Sequence, residues 1–283
     1  MRVGYLGPPG TFAEEALLRL VGPEPEQTLV PFPTVVDCFE AVRAGVVPEA
    51  LVPIENSIEG SVNLTLDQLA AGAGAVVIRA AIVHPIRHHL VGRPGIALAD
   101  VERVLSHPHA PPQCSAFLRE HLPGVEVVAA NSTADAVRIV VASTEPWAAI
   151  GPLRAADIYG GEVLAADIED SRENATRFVL LGRHDVEAIG PGRFVTSIIC
   201  MPRRDRPGGL LAILQEFAMR AVNLTKLESR PSKTGLGRYM FFIDMEGSRA
   251  RDLAVDAAIR AIDEQAVADV VFLGSYPTGV ASG

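Results

Sequence analysis

Ala50-Leu51-Val52-Pro53-Ile54-Glu55-Asn56-Ser57-Ile58-Glu59-Gly60-Ser61-Val62-Asn63 passes from a short apolar segment into a dense polar cluster, and residues 64–71 follow with helical apolar spacing. The implied order is strand, polar loop, helix, the repeating unit of α/β domains. Ser57, Ser61 and Asn63 are residue types that satisfy the free N–H groups of a helix start, and those N–H groups with the helix dipole also favour an anion. Two readings follow, plain helix caps or a carboxylate or phosphate cradle. The density of polar groups after a buried-looking strand favours the cradle.

The same order recurs at the N-terminus, where Val3-Gly4-Tyr5-Leu6 runs into Gly7-Pro8-Pro9-Gly10-Thr11-Phe12 and a helical stretch at 13–20. Thr11 and Glu14 have capping-box spacing, and Gly7 and Gly10 allow the backbone to approach a ligand closely. The loop lacks the Gly-Lys-Ser/Thr ending of a P-loop and the Gly-x-Gly-x-x-Gly of dinucleotide sites. A third stretch, Thr176-Arg177-Phe178, opens the apolar run Val179-Leu180-Leu181 after polar residues 169–174. A guanidinium there can hold a planar carboxylate by two parallel hydrogen bonds while the hydroxyl reaches another oxygen, which suits a small dianion. Taken alone, the tripeptide favours an ordinary strand with an exposed Arg. The other two stretches change that balance.

Together the three stretches resemble the prephenate dehydratase family, which opens with Gly-Pro-x-Gly-Thr-Phe, carries Pro-x-Glu-Asn-Ser-x-x-Gly-Ser, and ends its catalytic part with Thr-Arg-Phe. Further on, Asn223-Leu224-Thr225-Lys226-Leu227-Glu228-Ser229-Arg230-Pro231 is similar to the phenylalanine-binding segment of the family's ACT domain, so the resemblance covers nearly the whole chain. It implies a hydro-lyase that converts prephenate to phenylpyruvate in phenylalanine biosynthesis, with neither metal nor cofactor. The reaction must orient two carboxylates and help hydroxide leave as water. The resemblance assigns Arg177 to a substrate carboxylate and Thr176 to the departing hydroxyl. An aliphatic hydroxyl is a very weak acid, so Thr176 donates a hydrogen bond or relays a proton. Glu55 is either the proton source, if a closed cleft desolvates it, or a brace for Asn56 or Arg177, and bracing is favoured. Thr11, Asn56, Ser57, Ser61 and Asn63 are expected to hold substrate oxygens, and Phe178 packs either on the substrate ring or in the core.

Two further segments carry the resemblance. Ser106-His107-Pro108-His109-Ala110-Pro111-Pro112-Gln113-Cys114-Ser115 is similar to the family's Ser-His-Pro-Gln-x-x-x-Gln-Cys loop. Gln113 carries over as a contact from a second lobe, whereas His109 stands where the family has Gln. The residues implied for L-phenylalanine as effector are Gly208, Gly209, Leu210 and Leu211, with Asn223, Leu224, Glu228, Ser229, Arg230 and Pro231. The family usually has Gly-Ala-Leu where this chain has Gly208-Gly209-Leu210.

Residues 1–183 read as an α/β catalytic domain with strands centred on Tyr5, Leu51, Val104, Val127 and Ala149. The resemblance implies a two-lobed type II periplasmic-binding-protein-like fold, with lobes at 1–76 plus 168–183 and at 77–167. The chain is expected to cross between them along 75–91 and return near 163–170, leaving the polar loops at the carboxyl ends of strands. A linker is expected at 184–193, around Gly190-Pro191-Gly192. Beyond it, strands at 194–201, 223–230, 238–245 and 267–276 and helices at 208–221 and 251–264 give βαββαβ, the ferredoxin-like order that ACT domains share, over residues 194–283. ACT domains commonly pair, so a homodimer or homotetramer with the effector at a shared interface is implied.

The composition fits. The chain has 283 residues, 48% of them hydrophobic, enough for two cores. Its net charge of −9 and pI near 5.3 argue against a nucleic-acid surface. Lys226 and Lys233 are the only lysines, so a carboxylate would meet an Arg fork, although high-GC coding bias also produces that composition. Cys38, Cys114 and Cys200 are odd in number and lack metal spacing, as expected of buried thiols in a reducing compartment. Met1-Arg2 leads straight into a strand, and the apolar stretch 70–83 is interrupted by Arg79, so a cytoplasmic protein without a membrane anchor is expected. The histidines at 84, 88, 89, 107 and 109 lack a helical His pair with its accompanying carboxylate, and no metal is expected. Thr133, with Ser132 and Asp135, marks a helix start that also has the option of facing the cleft. The competing reading is an amino-acid sensor that binds without turnover. Within the enzyme class, arogenate dehydratase stays open, and a fused chorismate mutase is not expected because the first strand starts at residue 2 or 3.

Overall fold

The computed structural model describes all residues except 1, 23–27, 73, 184–191, 205, 234, 236, 266 and 279–283. Residues 184–191 of the expected linker therefore lie outside the described residues. The chain forms two compact units, Met1–Cys38 with Leu51–Val62 and Val83–Phe178, and Phe39–Ala50 with Asn63–Ile82 and Val179–Gly283.

The first half of the chain runs β1 (Arg2–Leu6), α1 (Phe12–Val21), β2 (Thr28–Phe32), α2 (Val35–Arg43), β3 (Glu49–Asn56), β4 (Gly60–Ser61), α3 (Asn63–Ala71), β5 (Val77–Pro85) and β6 (His89–Gly92). It continues with β7 (Arg103–Ser106), α4 (Ser115–His121), β8 (Glu126–Ala129), α5 (Thr133–Ala142), β9 (Trp147–Gly151), α6 (Leu153–Tyr159), β10 (Glu162–Ala165) and β11 (Ala175–Gly182). Every strand centre read from the sequence falls in a strand. The segment 75–91 is extended as β5 and the start of β6. One expectation needs correcting, because β4 pairs antiparallel with β3, Glu55 opposite Ser61 and Asn56 opposite Gly60. The polar cluster is a β-hairpin that precedes the helix, and Ser57 bonds to the Glu173 carbonyl and the Ala175 N–H.

Within the first unit, β10-β6-β9-β7-β8 form a five-stranded sheet. Its β7, β8 and β9 are parallel, with Leu105 aligned to Val128 and Ala149. Ala134, Ala136, Val137 and Val140 of α5 pack with Leu105 and Ala149 in one buried cluster, while Leu90, Val104, Ala148 and Ile150 belong to another with Cys114 and Ile168. Burial in two clusters explains why these strands read as continuous apolar runs. Each fully buried Val or Ile side chain contributes about 1.5–3 kcal/mol.

The second unit holds β12 (Arg193–Pro202), α7 (Gly209–Ala218), β13 (Leu224–Pro231), β14 (Tyr239–Glu246), α8 (Leu253–Glu264) and β15 (Ala268–Thr278) in the expected βαββαβ order. The strands stand in the order β13-β14-β12-β15, and Thr278 of β15 pairs parallel with Ala81 of β5. Ile213 and Phe217 of α7 and Val255, Ala258, Ile259 and Ile262 of α8 bury against Ile198, Cys200, Ile243 and Met245. Asp252 caps α8 by accepting from the Ala254 N–H at 3.0 Å. Gly208 precedes α7 at φ 82°, a left-handed value that disfavours any side chain. The helix read as 208–221 ends at Ala218, and Ala221 turns with φ 54°.

Candidate active site

β11 lies beside β3 in the sheet, and strand alternation sorts the residues at their ends. Asn174, Thr176 and Phe178 share one face and are 1%, 8% and 3% exposed, whereas Arg177 points the other way, where its Nη2 lies 3.1 Å from Glu55 Oε2. The Thr176 hydroxyl accepts from Asn56 Nδ2 at 2.9 Å, and Asn56 Nδ2 also reaches Asn174 Oδ1 at 2.9 Å and the Ala175 carbonyl at 3.2 Å. Asn56 Oδ1 is occupied by the N–H groups of Ile58 and Glu59, both at 2.9 Å, so its amide is oriented by its own hairpin. Glu55 thus lies against Arg177, and Asn56 against Thr176.

Gln113 reaches the same cluster from the loop before α4. Its Oε1 accepts from Asn174 Nδ2 at 2.7 Å and faces His88 Nε2 at 3.3 Å, and its Nε2 donates to Glu59 Oε1 at 3.1 Å. His109 Nδ1 stands 3.6 Å from the other oxygen of Glu59. Burial, only partly opposed by the Gln113 hydrogen bond and the charge of Glu169, holds the His88 pKa below its ordinary value, so the ring is neutral at pH 7. The Glu169 carboxylate accepts from the His88 backbone N–H at 2.9 Å and lies 3.4 Å from Arg87.

The N-terminal loop is built differently from its sequence reading. Thr11 occupies the N-cap position of α1, but its hydroxyl donates to the Leu6 carbonyl at 3.0 Å and makes no capping bond. Glu14 turns to the Gly10 N–H at 2.6 Å and to Arg154 Nη2 at 3.1 Å. The two glycines accommodate the protein's own chain: a Cβ on Gly7 would meet Pro31 Cβ at 2.7 Å, and one on Gly10, at φ 87°, would meet Ala155 Cα at 2.8 Å. Tyr159 adds a bond to the Pro9 carbonyl at 2.9 Å. Glu15 bonds His84 Nε2 at 2.9 Å, and Phe178 packs edge-on to the His84 ring with centroids 6.5 Å apart, so Phe178 belongs to the core under the site.

Ser57 donates to the Glu173 carbonyl and accepts from the Ala175 N–H, tying the hairpin to the entry of β11 at 3.1 and 3.0 Å. Ser61 lies opposite Glu55 in the hairpin. Asn63 is the first residue of α3, and its side chain accepts from Arg230. Ser132 caps α5 by accepting from the Asp135 N–H at 3.0 Å, so the helix starts at Thr133. Cys38, Cys114 and Cys200 are free and buried, and burial pushes each thiol up to about 12. Among the described residues, no group of three or more His, Cys, Asp or Glu is arranged to hold a metal ion, and no helix is long and apolar enough to cross a membrane.

In the second unit, Gly209 and Leu210 line a cavity of about 420 Å³ with Arg203, Arg204, Arg206 and Arg238. Arg203 is engaged by Asp269 at 2.5 Å and Asp263 at 2.9 Å. On β13, side chains alternate between half-buried and exposed, with Leu224, Glu228 and Arg230 on the covered face and Ser229 and Pro231 on the other. Asn223 precedes the strand, and its carbonyl accepts from the Glu246 N–H. Glu228 pairs with Lys226 at 3.2 Å, and Arg230 Nη2 pairs with Asp67 of α3 at 2.8 Å, joined there by Lys233 at 2.8 Å.

Asn174 and His88 are the site residues that sequence reading missed. Asn174 carried a usable signal, since it sits two positions before Thr176 and a strand places the two on one face. His88 offers the sequence no signal beyond that of a possible metal ligand.

Residues 3–186 match the family model of prephenate dehydratase, and residues 203–263 match that of the ACT domain. A prephenate dehydratase of Mycolicibacterium vanbaalenii is 41% identical over 98% of this chain and 91% of its own length. The crystal structure of a prephenate dehydratase from Arthrobacter aurescens in complex with L-Phe superposes with TM-score 0.90 at 38% identity, covering 98% of this chain and 90% of its own. A quorum-quenching acylase structure superposes with TM-score 0.85 at 28% identity, covering 99% and 98%.

Proposed function

The chain belongs to the prephenate dehydratase family, and on that premise we propose how its residues carry out the reaction. It is a hydro-lyase of phenylalanine biosynthesis with a C-terminal ACT domain. Residues 1–183 form the catalytic domain, in lobes of 1–76 with 168–183 and of 77–167, and residues 194–283 form the regulatory domain. Prephenate, a dianion, takes up one proton and yields the phenylpyruvate monoanion, carbon dioxide and water. The electron pair of the bond to the ring carboxylate moves into the ring as carbon dioxide leaves, and the ring hydroxyl departs from the opposite carbon as the ring becomes aromatic. Aromatisation supplies much of the driving force. The protein's task is to orient the dianion and stabilise the departing oxygen.

The observation that carries this reading is the Asn56 bond to the Thr176 hydroxyl at the entry of β11, where the next residue, Arg177, is held by Glu55 from the adjacent position on the neighbouring strand. A hydroxyl whose oxygen already accepts a hydrogen bond is set to donate its proton outward. Thr176 thereby donates to the departing hydroxyl, and Arg177, fixed in direction by Glu55, receives a substrate carboxylate. Thr11, Ser57, Ser61, Asn63 and Gln113 remain the candidates for the other substrate oxygens. Glu55 acts as the brace of Arg177.

L-Phenylalanine is the effector, bound by Gly208–Leu211 and Asn223–Pro231, and Arg-lined walls beside Gly209 and Leu210 suit its carboxylate. The molecule works in the cytoplasm as a homodimer or homotetramer paired through these regulatory domains. The decisive experiment mixes the purified protein with prephenate at neutral pH, with and without phenylalanine, and follows phenylpyruvate against a no-enzyme control. Arogenate, which has an amino group in place of the side-chain keto group, is the comparison substrate. Binding without turnover of either compound would move the reading to a sensor.

A further inference from the structure

Four amide and imidazole side chains form one continuous hydrogen-bonded chain that ends on the Thr176 hydroxyl, and both its ends are anchored. At one end the N–H groups of Ile58 and Glu59 occupy Asn56 Oδ1, so the Asn56 side chain must present its NH₂ to Asn174 Oδ1 and Thr176 Oγ1. At the other end the Glu59 carboxylate, which can only accept when ionised, receives Gln113 Nε2–H at 3.1 Å. Gln113 Oε1 must then face Asn174 Nδ2 at 2.7 Å and His88 Nε2 at 3.3 Å, and a neutral His88 donates from Nε2 to that oxygen. Asn174 stands between the two anchored ends with one orientation open to it, NH₂ to Gln113 and carbonyl to Asn56. It is 1% exposed, so water cannot substitute for either bond.

We propose that Asn174 is a positioning residue of the dehydratase reaction. The hairpin sets which way the Asn56 amide faces, and the Asn174 carbonyl holds one of its two N–H groups so that the other meets Thr176 Oγ1 and the Thr176 proton points at the departing hydroxyl. This inference rests on the dehydratase reading above and adds to it a residue that touches no substrate. Donor positions in such sites matter at the level of a fraction of an ångström. Without the Asn174 carbonyl the Asn56 NH₂ would shift toward its other acceptor, the Ala175 carbonyl, and Thr176 would be free to turn its proton onto protein acceptors, which affects turnover more than substrate binding.

The test uses the full chain and four variants, with phenylpyruvate formation corrected for the spontaneous reaction at each pH. In Asn174→Ala, kcat is expected to fall on the order of 10-fold or more while KM stays within about threefold. The double variant Asn174→Ala/Thr176→Ala should be no slower than Thr176→Ala by more than about threefold, because a residue acting only through the Thr176 hydroxyl has nothing left to act on. Asn174→Asp is nearly isosteric and keeps the test open if the alanine variant fails to fold. Its ionised carboxylate would oppose Gln113 Oε1, acceptor against acceptor, whereas its protonated form restores a donor. Its kcat should therefore decline as pH rises from 5 to 8, by up to about tenfold per unit above the pKa of the buried acid, while wild type shows no such limb. Wild-type kcat in Asn174→Ala, additive losses in the double variant, or an Asn174→Asp profile parallel to wild type would each overturn the inference. Absence of turnover by the wild type removes the dehydratase reading and this inference with it, whereas turnover unaffected by Asn174 removes the inference alone.

Discussion

Arg177 and Glu55 face each other across neighbouring strands, Nη2 to Oε2 at 3.1 Å, with the guanidinium side chain 19% exposed and the carboxylate side chain 40% exposed. The pair is only partly sheltered, so its worth as a stabilising contact is small, about 1 kcal/mol or less. Its value is directional, because a carboxylate on one edge of the planar fork fixes the plane in which the other donors lie.

Arg177→Lys retains the charge and loses the fork. Turnover is expected to drop on the order of 10²-fold or more. Initial rates with prephenate, next to a thermal melt showing the variant folded, check this. Near-normal turnover would remove Arg177 from the substrate carboxylate.

Glu55→Gln separates bracing from acid catalysis. A brace that loses its charge but keeps its shape should cost less than about 10-fold in kcat and leave the pH–rate profile unchanged. Loss of a limb from that profile, with a fall nearer 10³-fold, would make Glu55 the proton source.

Thr176→Ser keeps the oxygen that Asn56 bonds at 2.9 Å, and Thr176→Ala discards it. The serine variant should retain at least about tenfold more activity than the alanine variant. Equal kcat values for the two would refute a hydroxyl role.

These residues were legible in the sequence because their spacing exposes both their chemistry and their strand. The βαββαβ order was legible because amphipathic helices and apolar strands alternate cleanly after residue 193. What stayed hidden depended on partners distant in sequence. Pro31 argues against a strand, yet β2 lies at the outer end of the sheet order, where a missing N–H is tolerated. Gly7 and Gly10 looked like ligand-approach glycines, but the crowding that requires them comes from Pro31 and Ala155, the latter 145 residues beyond Gly10. Asn63 reads as a helix cap until Arg230 is folded against it. Asn174 could have been noticed from its period-two spacing to Thr176, but its role needs Gln113, 61 residues away, in place.

Asp67 joins α3, which follows the hairpin bearing Glu55, to Arg230 and Lys233 in and beside the segment assigned to the effector. Burial pushes the Asp67 carboxyl up, but hydrogen bonds from Lys233 and Arg230 and their charges outweigh it, and the pKa is lowered. A depressed carboxyl stabilises the fold above its unfolded pKa of about 3.9 and loses that contribution as pH falls through the folded value. Asp67→Asn should therefore be less stable than wild type at pH 7, by under about 1 kcal/mol, with the gap closing as pH falls through the lowered Asp67 pKa. Basal kcat should stay within about twofold of wild type while the phenylalanine concentration for half effect shifts severalfold. Unchanged phenylalanine titration curves would show that the Asp67 pairs are structural only.

His88 offers a stability test that does not depend on turnover. Its ring is 3% exposed and burial depresses its pKa, so the unfolded chain, whose His titrates near 6.5, binds the proton first as pH falls. Stability is then fully present above about pH 6.5 and declines on acidification until the folded pKa is reached, at up to about 1.4 kcal/mol per pH unit. His88→Gln keeps a donor for Gln113 and removes the titration. Urea unfolding of both proteins from pH 8 to pH 5 should show wild type losing stability relative to the variant only below about pH 6.5, because the two chains differ in no other titratable side chain. Parallel curves over that range would mean that His88 protonates in place, in which case the Gln113 carbonyl and the charge of Glu169 shelter the imidazolium, and the Nε2–H that faces Gln113 survives acidification unaltered.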